Sequence, residues 1–158
     1  MFENQVQQLA FFRIVLLLSE LFPDATLQTS RDEPVALVIY PQESLVMVAV
    51  RAWGDEAILC VGACLTVGTE LTPELMRYLL EANKSLVFGG LGLDEEGNLL
   101  WTDQVRARDA SKDDVNTLVL AARAAVQHFA PEITSRFGGV THAEYARDLA
   151  QGNRTEAS

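Results

Sequence analysis

The chain has 158 residues, 49% of them hydrophobic, and a formal net charge of -10. That length fits one domain with one core of useful size, and the apolar content argues against disorder. The acidic balance disfavours nucleic acid and anionic membrane as partners; it fits either a solubilising surface or acidic rims around an apolar binding surface.

Residues 2–22 read as a first helix. Phe11, Ile14, Val15, Leu18 and Phe22 form one apolar row, and Leu9, Phe12 and Leu16 form another beside Arg13. A helix apolar over more than one stripe either packs between two layers or shows part of its surface to a partner. Its apolar run is too short to span a bilayer, the first residues lack the basic region of an export signal, and a cytoplasmic location is expected. Pro23 ends the helix.

Residues 25–29 form a weak strand, 30–34 a polar turn, and 35–40 a strong strand stopped by Pro41. Gln42, Glu43 and Ser44 turn the chain into a strand over 45–53, and a short loop at 54–56 leads to a long strand over 57–67. Short loops between successive strands require antiparallel neighbours, so these strands form a meander. Leu45, Met47, Ala49, Arg51 and Trp53 share one face; Val46, Val48, Val50 and Ala52 share the other. Both rows are largely apolar, whereas a sheet with one wet face alternates apolar and polar. The second face therefore needs cover from helices, a second copy or a bound peptide, which argues for an oligomer. Arg51 is expected to pair with an acidic residue or to mark the edge of a groove. Trp53 and Trp101 are expected in the core, with partners for their indole N–H groups.

Cys60 and Cys64 fall on one face of the long strand, roughly 13 Å apart, too far to bridge. They read as buried free thiols, which fits a reducing compartment.

The segment 71–105 organises the rest. Thr72 suits an N-cap, Pro73 the first helical position, and Glu74 the positive end of the helix dipole. Leu75, Met76, Leu79 and Leu80 recur on one helical face, and Asn83 and Lys84 suit the exit. A strand over 86–93 follows, with Gly89, Gly90 and Gly92 marking a bend or a close backbone approach. Residues 94–98 make an acidic hairpin loop with Gly97 at positive φ, and the return strand starts at Leu99.

Ser111 and Asp114 form a capping box for a long helix whose buried face is Val115, Leu118, Val119, Ala122, Val126, Phe129 and Ile133. Pro131 is expected to kink or divide it. Thr141 and Glu144 make a second capping box, for a helix of a turn or two. The single domain is expected over 1–150, with 151–158 a disordered polar tail.

No site for chemistry emerges. Gly89-Gly90-Leu91-Gly92 lacks the lysine and the following helix of a phosphate loop. His128 and His142 have no second ligand at helical spacing, and neither cysteine has a basic neighbour in sequence. No catalytic residue, cofactor or metal is assigned.

The stretch LMRYLLEANKSLVFGGLGLDEEGNLLW, through Leu79, Leu80, Asn83, Phe88, Gly89, Asp94 and Gly97, resembles the YbjN-like branch of the type III secretion chaperone-like superfamily. The resemblance implies an α+β fold, an antiparallel meander with flanking helices, and a homodimer that holds extended or amphipathic protein segments on apolar surface. It implies no reaction, and a regulatory role is equally open. The candidate partner or dimer contacts, taken from periodicity, are Leu9, Phe12 and Leu16 on the first helix and Val46, Val48 and Val50 on the meander. The alternative is a small-ligand sensor or enzyme with an interior pocket.

Overall fold

The structure is a computed structural model; it describes residues 1–30, 32–40 and 45–155. The expected turn at Gln42, Glu43 and Ser44 lies outside the described residues. The elements run α1 (Gln5–Leu21), β1 (Thr26–Thr29), β2 (Val35–Ile39), β3 (Leu45–Trp53), β4 (Glu56–Val67), α2 (Pro73–Ser85), β5 (Gly90–Leu93), β6 (Leu99–Arg106), α3 (Lys112–Phe137), β7 (Val140–Thr141) and α4 (His142–Thr155).

The strands form one antiparallel sheet in the order β1-β2-β3-β4-β6-β5, and β7 pairs with the end of β4. The α+β meander is as expected, because each short loop returns the chain beside the strand it left. In the register, Val48 faces Val61 and Val50 faces Leu59. Ala63 faces Trp101. These residues share one sheet face and are buried with Phe11, Ile14 and Leu18 of α1 and Val115, Leu118, Val119 and Ile133 of α3. Both helices pack on β3 and β4. The valine row Val46, Val48 and Val50 is thus the covered face, and these residues are inside the chain's own core. That corrects their assignment as partner contacts. The opposite row carries Arg51, whose burial without a partner would cost more than any packing gain.

Local signals set most helix starts. The Asn4 side chain accepts from Gln7 N–H at 2.8 Å, Thr72 accepts from Leu75 N–H at 3.2 Å, and Ser111 with Asp114 closes a full capping box. Gln7 is a buried polar residue that the apolar pattern hid. Its Nε2 donates to Val50 O at 2.8 Å and its Oε1 accepts from Glu3 N–H at 2.7 Å, so α1 is tied to β3 at a fixed height.

Several expectations change. α3 passes through Pro131 unbroken. One ladder bond is lost there, but Phe129, Ala130 and Ile133 stay buried on both sides of it, so the helix is not divided. The strand expected over 86–93 is confined to Gly90–Leu93. Gly89 at φ +64 turns the chain, and residues 86–89 lie off the sheet. α4 runs from the Thr141–Glu144 capping box to Thr155, longer than expected and into the segment read as a polar tail. Trp53 is 63% exposed rather than in the core, whereas Trp101 is buried and its indole N–H donates to Phe88 O at 3.2 Å.

Candidate functional site

α2 and α3 stand apart over β6 and leave a groove of about 1180 Å³ between them. Its helical walls follow from periodicity. Glu74, Tyr78, Glu81, Ala82 and Ser85 recur along one side of α2, and Ala121, Ala124, Ala125, His128, Phe129 and Glu132 along one side of α3. Trp101 of β6 and Phe88 of the link also line the groove. The alanines give α3 a flat wall that another chain can approach closely.

One end of the groove is closed. The rings of Tyr78 and Phe137 are 5.5 Å apart, and the Arg136 guanidinium sits 4.7 Å over Tyr78. Arg136 pairs with Glu132 at 3.0 Å, and His128 lies 3.9 Å from the same carboxylate, so, against expectation, His128 has an acidic neighbour at helical spacing. Burial, then the hydrogen bond and charge of Glu132, push the Tyr78 phenol up to about 12, so it stays protonated and donates to that carboxylate. The other end, at Leu86, Val87 and Phe88, is open; Val87 is 86% exposed. This is an apolar trench with a charged rim, suited to an apolar side-chain row rather than to proton transfer.

Two other apolar surfaces stand outside the groove. Leu9, Phe12 and Leu16 are 62%, 52% and 65% exposed on the outer side of α1. The open face of the sheet carries Met47, Ala49, Arg51, Cys60, Gly62, Thr102 and Gln104 around a shallow trough of about 400 Å³. Arg51 makes no ion pair among the described residues, so the expected pairing with an acidic residue is not made; its side chain lines this trough. Cys60 and Cys64 are free and half-buried, and desolvation raises both thiols, Cys64 to about 11. Their thiolate fraction is accordingly small.

Sequence reasoning named no residue of the groove as a site; its α3 side carries Ala121, Ala124 and Ala125. That side and α2 are far apart in sequence, and their spacing is set by the sheet beneath them. Among the described residues there is no cluster of three His, Cys, Asp or Glu side chains, and no helix is long and apolar enough to cross a membrane.

The fold recurs in solved complexes. A chain of the ExsC–ExsE complex aligns with a TM-score of 0.60 at 14% identity, covering 77% of this chain and 93% of that one. A chain of the HopA1–SchA chaperone–effector complex gives 0.57 at 13% identity, with 77% and 94% covered. A chain of the ExoU–SpcU complex from the type III secretion system of Pseudomonas aeruginosa gives 0.54 at 21%, with 75% and 95% covered. At these identities the likeness establishes the fold, which is that of the secretion chaperones. No curated protein matches the sequence. The model of the family named YbjN, described as "Putative bacterial sensory transduction regulator", matches residues 16–135, well over half of the 158-residue chain. The chain belongs to the YbjN family.

Proposed function

We propose that the protein is a non-enzymatic binding module, chaperone-like or regulatory, that holds a segment of a partner protein in the groove between α2 and α3 and acts as a homodimer. The observation that carries this reading is the groove itself: an aromatic and alanine-lined trench, closed by Tyr78, Phe137 and Arg136 at one end and open at Val87. An amphipathic helix or an extended segment fits such a trench by placing alternate or heptad-spaced apolar side chains along it. The same fold is found in a chain of the HopA1–SchA chaperone–effector complex. The exposed row Leu9, Phe12 and Leu16 supports self-association or a second partner contact, because apolar side chains clustered on one helix face are commonly covered.

Affinity capture from native lysate, with crosslinking and mass spectrometry, tests the reading against Ala124→Arg. Ala124 is exposed on the groove wall, and arginine keeps helix propensity while filling the trench. The expected result is one dominant partner crosslinked to α2 and α3 and lost in the variant. Equal capture by both proteins overturns the groove assignment, and a monomer in sedimentation at micromolar concentration removes the homodimer. The convergence of Tyr78, Glu132 and Arg136 at the closed end favours a second reading, a small-ligand sensor. In that case Ala124→Arg abolishes ligand-induced melting shifts in a small-molecule screen and leaves protein capture unchanged.

A further inference from the structure

The open face of the sheet is a separate surface, on the side away from the groove. Its rows follow from the register. Met47, Gly62 and Thr102 stand side by side, then Ala49, Cys60 and Gln104, then Arg51, Ile58 and Arg106. The middle of the face is built from small residues. Gly62 supplies no side chain between Met47 and Thr102, the Thr102 methyl stands 3.3 Å from where a Cβ on Gly62 would lie, and Ala49 and Cys60 line the trough toward Arg51. Met47 and Trp53, both exposed, bracket this row along β3.

The charge at the end of the trough is opposite to that of the whole chain. Arg51 and Arg106 flank Ile58 on neighbouring strands of the same face. Arg106 reaches Glu56 only at 3.8 Å, and that carboxylate is also held by Arg108 at 3.2 Å. Arg51 makes no ion pair among the described residues. In a chain of net charge -10, an Arg51 with no ion pair among the described residues, beside an Arg106 that shares Glu56 with Arg108, is complementary to an acidic partner, not to a basic one.

We propose that this face is a second docking site, for an amphipathic segment of a partner protein that seats an apolar side chain over Gly62 and brings a carboxylate to Arg51. Met47 and Arg51 are four residues apart on β3, or roughly 13 Å, close to the rise of two to two and a half turns of helix. The partner's apolar anchor and its acidic residue are therefore about two turns apart. Arg51 takes the carboxylate through its guanidinium fork, and the small floor lets the segment approach the strands closely. This site does not depend on the groove between α2 and α3.

Two labelled synthetic amphipathic helices with the same leucine row, one flanked by glutamates and one by lysines, test the site by fluorescence anisotropy on the intact protein at physiological salt. The glutamate peptide is expected to bind the wild type more tightly than the lysine peptide, against the sign set by the protein's net charge. Arg51→Glu is expected to weaken the glutamate peptide at least about tenfold, the scale of a lost charge-assisted contact, and to strengthen the lysine peptide. Both peptides are also titrated onto Ala124→Arg, which blocks the groove and is expected to leave the preference for the glutamate peptide in place, and Arg51→Glu, on an exposed side chain, is expected to melt as the wild type does. Glutamate-peptide binding that survives Arg51→Glu overturns the proposal, as does preference of the wild type for the lysine peptide. Binding lost in Ala124→Arg but kept in Arg51→Glu also overturns it while leaving the groove reading intact. Dissociation of a wild-type dimer by Arg51→Glu, with neither peptide affected, assigns the face to a second copy of the chain and likewise overturns it.

Discussion

Asn83, on the last turn of α2, holds the backbone of Leu91 in β5 by both of its polar groups. Its Oδ1 accepts from Leu91 N–H at 2.6 Å, and its Nδ2 donates to Leu91 O at 3.0 Å. β5 is the last strand of the sheet order, and this side chain gives it the pair of bonds that a further strand would give. It also fixes the distance between α2 and the sheet, and hence the open end of the groove.

Asn83→Ala should therefore cost about 1–3 kcal/mol, the scale for leaving partly buried backbone groups unpaired. Asn83→Asp keeps the acceptor and loses the donor, and should fall between the two. Denaturant unfolding gives the energies. Amide exchange at Leu91 should speed up in both variants before global unfolding does; unchanged exchange would show that β5 is held by β6 alone.

Gly89→Ala should be among the most damaging small changes. The backbone there has φ +64, and an added Cβ would lie 2.5 Å from the Trp101 ring and 2.6 Å from Thr102 O. The ring is buried and its N–H is tied to Phe88 O, so it has little room to retreat. A loss of about 1–3 kcal/mol is expected from overpacking and the positive φ together. The emission of Trp101 should shift as its indole moves, and a wild-type spectrum and midpoint would contradict this packing.

Phe12→Asp and Val48→Asp separate surface from core on the two rows first read as contacts. Phe12 is half-exposed with its ring tilted on Phe2 and Phe11, and the aspartate should cost about 1 kcal/mol and leave the chain folded. Val48 is 1% exposed, and an aspartate there should unfold the chain at neutral pH by burying an unpaired charge. Circular dichroism through a thermal ramp distinguishes the two.

Acid should loosen α4 in two steps. Burial lowers the His142 pKa below its ordinary value near 6.5. The unfolded chain therefore binds this proton first. The stability His142 contributes is fully present above about pH 6.5 and declines as pH falls below it. Hydrogen bonds from the Thr141 backbone and hydroxyl lower the Glu144 pKa, so its contribution is present above the ordinary carboxylate range and is lost as pH falls through the folded value. The protection of α4 amides, with exchange measured from pH 7 to 4 and corrected for the pH dependence of the unprotected rate, should fall below about pH 6.5, and His142→Phe should remove that first step. A flat profile in the variant and the wild type alike would place the acid sensitivity elsewhere.

Features fixed by neighbours in sequence were legible without the structure. Thr72, Ser111 and Thr141 cap their helices where expected, and Gly97 has φ +83, because each device closes within three or four residues. The meander was legible for the same reason, since short loops leave strands only one way to pair. Gln7 was missed, although its signal was present. It falls in line with Phe11, Ile14 and Leu18, and a polar residue in a buried row implies a partner such as Val50 O.

The sequence by itself determined the element types, the two side-chain rows of each strand and the family resemblance that the family match upholds. Period-two alternation separates Val48 from Met47 but carries no sign that says which row meets the helices. Tertiary packing supplied that sign, because only the row without Arg51 could be buried under α1 and α3. The groove was decided in the same way. Tyr78 and Arg136 are separated by most of β5, β6 and α3 in the chain, and they meet only because the sheet sets the two helices side by side.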